Sequence, residues 1–447
     1  MNKNYNINNP IFANITSIFA SSVILIRLSG EYEKIKKVLN FFSIPPLKPR
    51  VATLCKLKIK DEILDEAIIT YFKAPYSFTG EEVLEIAIHG SKFIFNKISE
   101  VLFSLGFNFA LNGEFSFRAF MNGKMDLVEA EGMANLIASE TELQHKVAMR
   151  QFEGEKSKIF QNLKSELIEV LSFIESLIDF SDEDLPKELE KTLKNKVENV
   201  KNIISDYLEN SSALSLQEGL KIAIIGRPNA GKSSLFNKIT NTQKAIVSNI
   251  SGTTRDVIEE RIILKGIPII FYDTAGITKN TQDEIELEGI KRAIKTLEKS
   301  DIKLLVNPAN SGESFENLSK DLNFEVDENT IFVLTKCDLI NNFTKENNVC
   351  KISINIEETI KNLIQKIENT LEKNFLSLLN SALIGSERQK ILLTNALIFL
   401  EKFNFQKEIE LAGEDLKQAA NALQNIIGTI DVEDILGSIF SKFCIGK

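Results

Sequence analysis

Short apolar runs rich in β-branched residues dominate the first 120 positions. "VILIRLS" (23–29), "VATLCKLKI" (51–59), "AIITYFKA" (67–74) and "VLEIAIH" (83–89) predict strands. Residues 31–41 and 91–105 instead repeat apolar positions at helical spacing. Strands mixed with helices in this order predict a compact α+β domain over 1–120. The run "IFANITSIFASSVILIRL" (11–28) resembles a signal or membrane segment in length. Asn14, Thr16, Ser17, Ser21, Ser22 and Arg27 break it up. It predicts a strand entering a buried sheet, and no membrane insertion is expected.

From about 121 the β-rich runs stop. "MDLVEAEGMANLIASETELQHKVAMRQF" and "NLKSELIEVLSFIESLIDF" carry long helical periodicity, and "SDEDLP" breaks it with acidic turn residues and a proline. At 220 the texture changes again. "LKIAIIG" predicts a buried strand, and strands at 258–264, 267–272, 302–306 and 331–334 alternate with helices to about 372. That alternation predicts a mostly parallel α/β sheet. Past 375 the pattern is helical to the end. The expected architecture is multidomain α/β: an α+β domain (1–120), a helical domain (121–215 and 376–447), and an α/β domain (216–375) inserted into it.

The last helical run is "EDILGSIFSKFCIGK", where Ile435, Leu436, Ile439, Phe440 and Phe443 share one face and Gly446 suits a helix end. No lipidation signal is expected in these final residues, since Gly446 is not aliphatic and Lys447 is not an accepted last residue of such a motif.

Composition adds bounds to this pattern. A chain of 447 residues, 43% hydrophobic and 26% charged, has the length of about three globular domains and ample apolar side chain for their cores. The net charge of −9 argues against a general nucleic-acid binder. Ten Lys or Arg stand against two Glu in residues 1–60, so the N-terminal region can hold phosphate or an anionic cofactor. Cys55, Cys337, Cys350 and Cys444 show no C-x-x-C spacing, and His89 and His145 are the only histidines. This argues against zinc and for a reducing cytoplasm.

"GRPNAGKSS" (226–234) follows a strand and opens a helix. Backbone N–H groups of such a loop face phosphates, and the helix N-terminus adds a favourable dipole. Lys232 can reach the β- and γ-phosphates, and Ser233 can ligate Mg2+. "SGTTRD" (251–256) offers Thr254 as a second Mg2+ ligand. "YDTAG" (272–276) supplies Asp273 on the metal side and the Gly276 N–H for the γ-phosphate. In "TKCD" (335–338), Asp338 can accept from guanine N1–H and its amino group, which adenine cannot offer. "KISIN" (351–355) places Ser353 in a last guanine-contact loop. Four motifs in order on one α/β unit predict a GTP-binding P-loop domain.

Two positions depart from common GTPase patterns. Thr335 stands where the guanine motif usually has Asn, so the amide bracing base and phosphate loop is expected to be lost, with lower affinity. Ile277 stands where many small GTPases place a water-orienting Gln, and an aliphatic side chain cannot orient water. The loop "TKNTQDEIELEG" beyond it contains carboxylates that can.

Taken together, these residues resemble the tRNA-modification GTPases of the MnmE (TrmE) family over nearly the whole chain. Outside the nucleotide motifs the resemblance is carried by "YFKAPYSFTGEEVLEIAIHG" (71–90), "NGEFSFRAFMNGKMDLVEAEGMANLIA" (112–138) and "FCIGK" (443–447). Within them it is carried by "GRPNAGKSS" and "AIVSNISGTTRDVIEE" (245–260). The resemblance implies a tetrahydrofolate-binding N-terminal domain that forms a homodimer, a helical domain and an inserted G domain. It also implies an FAD- and NADH-dependent partner of the MnmG (GidA) family, joined in a heterotetramer. Together they would add a carboxymethylaminomethyl-type group to carbon 5 of the wobble uridine of certain tRNAs, with the one-carbon unit from a 5-formyl- or methylene-tetrahydrofolate.

The family's residues carry over position by position. The GTP set comprises Asn229, Ala230, Gly231, Lys232, Ser233 and Ser234 of the phosphate loop, and Ser248, Asn249, Ile250, Ser251, Gly252, Thr253 and Thr254 of the next. Asp273, Thr274, Ala275 and Gly276, then Lys336, Asp338 and Ser353, complete it. Mg2+ falls to Ser233 and Thr254. K+ falls to Asn229, Ser248, Ile250 and Thr253, and its charge would act at hydrolysis much as an arginine finger does. The water-orienting glutamate aligns with Glu286. Folate maps to Arg27, Glu85, Lys124 and Lys447, although "SIFASS" (17–22) replaces the family's proline- and glycine-rich turn. Cys444 is the candidate reactive thiol. The alternatives are a ribosome-assembly GTPase switch, which needs neither "FCIGK" nor "GEFSFRAFMNGK", and a GTP-gated scaffold whose partner performs all the uridine chemistry.

Overall fold

The computed structural model describes residues 5, 8–17, 21–60, 62–179, 187–209, 219–242, 259–273, 300–322, 324–339, 349–373, 385–405, 408–428 and 446. The chain forms two compact units. One comprises Met1–Ala134, Gln151–Asp182 and Asn404–Lys447, the other Asn135–Arg150 and Glu183–Phe403.

The first unit is built on six strands, β1 (Ile11–Asn14), β2 (Val23–Gly30), β3 (Thr53–Ile59), β4 (Glu62–Phe72), β5 (Glu82–His89) and β6 (Asn108–Phe109). Their order in the sheet is β3-β4-β5-β2-β1-β6. The apolar run 11–28 is therefore two antiparallel strands rather than one. Its polar interruptions close the reversal: Thr16 Oγ1 accepts from Leu25 N at 2.9 Å and donates to Val23 O at 3.3 Å. Ile24, Ile26 and Leu28 of β2 are buried with Ile35 and Val38 of α1 (Tyr32–Phe41) and Phe95 and Ile98 of α2 (Lys92–Ser104). Ser91 caps α2 by accepting from Ile94 N. Strand alternation sends Arg27 and Glu85 to the opposite face. There α3 (Glu114–Met121) packs Phe115 on Ile11 and Ala13.

The long periodic stretch after residue 121 divides into α4 (Leu127–Ala138), α5 (Glu142–Phe152) and α6 (Glu155–Asp179). Thr141 Oγ1 accepts from Gln144 N while Gln144 Oε1 accepts from Thr141 N, both at 3.2 Å, a reciprocal cap that starts α5. In the first unit α6 lies along α12 (Ile409–Ile427), with Leu163, Leu167, Val170 and Ile174 buried at helical spacing. The helix expected over 433–443 lies outside the described residues.

The second unit contains β7 (Leu220–Ile225), β8 (Glu259–Leu264), β9 (Ile267–Asp273), β10 (Ile302–Pro308), β11 (Thr330–Thr335) and β12 (Val349–Lys351). The order is β12-β11-β10-β7-β9-β8, and every neighbouring pair is parallel except β8 with β9. Helices α7 (Lys187–Glu209), α8 (Lys232–Thr242), α9 (Phe315–Asp321), α10 (Glu357–Leu371) and α11 (Glu387–Lys402) belong to this unit. Leu235 and Ile239 of α8 and Leu363 and Ile367 of α10 share a core with Ile222, Ile224, Leu304 and Phe271. Each such side chain contributes about 1.5–3 kcal/mol by burial. β7 lies inside the sheet, between β10 and β9, which sets its carboxyl end where parallel α/β sheets bind ligands.

Candidate functional site

The carboxyl ends of β7, β9, β11 and β12 carry the predicted nucleotide motifs. After β7 the chain turns through Gly226, where a Cβ would stand 2.3 Å from Val306 O, so the loop can enter only with glycine. Asn229 is exposed with φ 61° and Gly231 has φ 90°, which curls the loop before α8 begins at Lys232. Lys232 is buried, and its Nζ donates to Gly226 O and Arg227 O at 2.9 Å each. The ammonium thus sits inside the loop that a phosphate would occupy, while Ser233 and Ser234 are exposed on the first turn of α8. Asp273 closes β9.

The guanine side is tied to this loop. Lys336, at φ 57°, donates from Nζ to Asn229 O at 2.9 Å. Thr335 Oγ1 donates to Ala230 O at 2.6 Å. The brace expected to vanish with the motif's Asn is therefore present: a hydroxyl one atom from Cβ reaches the carbonyl that an amide would have held. Asp338 is exposed, and Cys337 N donates to Ile352 O at 3.2 Å, joining the two guanine loops. Ser353 Oγ is buried with no hydrogen-bond partner, an open valence beside the place where the base is expected. Burial pushes the Cys337 and Cys350 thiols up, so neither is a ready nucleophile.

Sequence reasoning missed a further tether. Arg227 Nε and Nη2 donate to Glu313 at 2.9 and 2.6 Å, and Nη2 also to Asp321 at 2.6 Å. These carboxylates raise the guanidinium's already high pKa. The tether holds the outer arm of the phosphate loop against the segment after β10. Its acids lie more than 80 positions from Arg227, so no local pattern announces them.

In the first unit, Arg27 and Glu85 face each other across β2 and β5. Arg27 Nε and Nη2 both lie 2.9 Å from Glu85 Oε1, which leaves Oε2 to accept from a ligand. The guanidinium lies 5.3 Å from the Phe78 ring centroid and 5.8 Å from that of Phe115. Lys124 follows in the same neighbourhood: a Cβ on Gly80 would stand 3.3 Å from its side-chain carbons. Gly446 arrives from the far end of the chain. With φ 92° it packs so that a Cβ would stand 2.7 Å from Asn14 O and 2.7 Å from Ile15 Cγ2. Ala13, one residue before Asn14, is the register partner of Arg27. Arg27 and Glu85 are thus paired beside two aromatic rings, Lys124 packs on Gly80, and Gly446 packs on the end of β1 next to the strand that carries Arg27. A cation, a carboxylate and two aromatic rings suit a flat heterocycle with a charged tail.

Thr254, Ser248, Asn249, Ile250, Ser251, Gly252, Thr253, Thr274, Ala275, Gly276, Glu286, Cys444 and Lys447 lie outside the described residues. Among the described residues no group of histidine, cysteine or carboxylate side chains forms a metal cluster, and no helix is long and apolar enough to cross a membrane.

The phosphate loop, the strand-end motifs and the braced guanine segment define a P-loop GTPase. Comparison with known proteins gives the particular family. The MnmE helical domain matches residues 127–444, and the TrmE N-terminal domain matches residues 10–124. The tRNA modification GTPase MnmE of Rickettsia bellii (strain OSU 85-389) is 42% identical over 98% of this chain and 99% of its own. That of Wolbachia sp. subsp. Drosophila simulans (strain wRi) is 43% identical over 99% of this chain and 100% of its own. The solved G domain of the T. maritima FeoB iron transporter is 26% identical, covering 34% of this chain and 98% of that one, with a TM-score of 0.28. This chain belongs to the MnmE family of tRNA modification GTPases.

Proposed function

We propose that this protein couples GTP hydrolysis to the installation of a carboxymethylaminomethyl-type group at carbon 5 of the wobble uridine of certain tRNAs. It does so in the cytoplasm with an FAD- and NADH-dependent protein of the MnmG family, as a heterotetramer. The observation that supports this reading is the Arg27–Glu85 pair beside the Phe78 and Phe115 rings in the first unit of a chain whose second unit holds a braced phosphate loop. A GTP-gated switch alone needs no such pair.

A bound tetrahydrofolate would supply the one-carbon unit. Glu85 would accept from its ring N–H groups, Arg27 would orient Glu85, and Lys124 and Lys447 would hold its anionic tail. Cys444, two residues before Gly446, is the thiol proposed to act there. In the G domain Lys232 would leave the Gly226 and Arg227 carbonyls for the nucleotide phosphates. Ser233 and Thr254 would hold Mg2+, and Asn229, Ser248, Ile250 and Thr253 would hold K+. Glu286 would orient the attacking water in place of the glutamine that Ile277 lacks. The three-part division at 1–120, 121–215 with 376–447, and 216–375 accompanies this assignment.

Homodimerisation through the N-terminal domain is supported by its outer strands. Leu54 and Ile68 are register partners on β3 and β4 and remain 69% and 49% exposed. A second copy would cover such a pair.

Reconstitution tests the proposal. Unmodified tRNA, this protein, the flavin partner, GTP, K+ and a folate should yield the modified nucleoside, and omission of GTP or of folate should abolish it. Full product in the absence of this protein would overturn it.

A further inference from the structure

Thr335 closes β11 and is fully buried, so its hydroxyl answers only to protein neighbours and to what lies over the phosphate loop. Those neighbours are two carbonyl oxygens, Ala230 O at 2.6 Å and Asn307 O at 3.4 Å. A threonine hydroxyl carries one hydrogen and a carbonyl only accepts, so the single proton is committed to Ala230 O. The amide usual at this position has two N–H donors. It can hold the loop with one and offer the other to an acceptor on the base.

The remaining guanine-side contacts point elsewhere. Lys336 is committed to Asn229 O at 2.9 Å, and the exposed Asp338 is an acceptor. Guanine presents donors on its N1 and amino edge and acceptors, N7 and O6, on its major-groove edge.

We infer that Thr335 is a positioning residue that fixes Ala230 of the phosphate loop and donates nothing to the base, so residue 335 leaves the N7 of guanine unread. Selectivity then comes from the edge facing Asp338, and affinity at this position comes from a correctly held loop. The inference rests on the GTP-binding reading of this site and separates two duties that an amide would combine.

The test compares GTP with 7-deaza-GTP, whose N7 acceptor is replaced by C–H, in equilibrium binding to the full chain. The wild-type protein should bind both within about twofold. Thr335→Ser should behave as the wild type. Thr335→Val should weaken both nucleotides by the same factor, about three- to tenfold for one hydrogen bond. Thr335→Asn should bind GTP about three- to tenfold tighter than 7-deaza-GTP, because the second N–H regains N7. A wild-type preference for GTP over 7-deaza-GTP of threefold or more would overturn the inference. So would a Thr335→Val variant that binds as the wild type. Asp338→Asn provides the separate control: it should move preference from GTP to xanthosine triphosphate, and no such move would count against the guanine reading of Asp338.

Discussion

Replacing Gly446 by alanine isolates the docking of the C-terminal tail from every other part of the molecule. The residue stands at φ 92°, a conformation that costs a non-glycine residue about 1–3 kcal/mol. The added Cβ would also lie 2.7 Å from Asn14 O and 2.7 Å from Ile15 Cγ2. Asn14 ends a strand paired to β2, and Ile15 N donates to Leu25 O at 2.8 Å, so the obstructing backbone is anchored. The tail must yield instead. Since about 1.4 kcal/mol is tenfold in population, Gly446→Ala should lower the docked fraction by about tenfold or more. Single-turnover tRNA modification should fall by a similar factor, while GTP hydrolysis, assigned to the other unit, should stay near the wild-type rate. Folate affinity should fall too, because the next residue, Lys447, is the proposed contact for the folate tail. Wild-type modification and folate binding in Gly446→Ala would refute the claim that the tail docks to act.

Three further outcomes follow from the same reasoning. Hydrolysis should be fast in K+ and slow in Na+ at matched ionic strength, and equal rates would remove the potassium role from Asn229 and its loop. Glu286→Ala should keep nucleotide affinity and cripple turnover; unchanged turnover would move the water-orienting role to Asp283 or Glu284. Arg118→Met should destabilise the N-terminal unit by about 3–5 kcal/mol in denaturant unfolding, as expected when one partner of a buried ion pair is removed. Arg118 is 1% exposed and donates to Glu81, Glu114 and Asn9 O, so a midpoint equal to the wild type would show that this network contributes nothing.

The chain announced some of this structure and concealed the rest for physical reasons. β7, β9 and β10 have apolar residues buried on both faces, and β11 adds half-buried Phe332 and Leu334 opposite its buried Ile331 and Val333, so all four stand out as continuous hydrophobic runs. β6 is two exposed residues and β12 three half-buried ones, and both exist because a neighbouring strand offers its edge in register. The buried Arg118 breaks the apolar pattern of α3, and its partners include a carboxylate 37 positions away and a carbonyl 109 positions away. The phosphate and guanine motifs were legible because local backbone geometry builds them. The Arg27–Glu85 pair was legible only through family resemblance, since cross-strand register is not written in either strand alone. Thr335 shows the opposite error. A changed letter suggested a lost contact, yet its hydroxyl reaches the same loop.

The central claim is that this GTPase governs wobble-uridine modification, and nucleoside mass spectrometry of cellular tRNA tests it most directly. Cells lacking the protein should lose 5-substituted wobble uridines. The wild-type gene should restore them, and the Lys232→Ala gene, expressed at the same level, should not. Normal amounts of these nucleosides in the deletion strain, or full restoration by Lys232→Ala, would contradict the account.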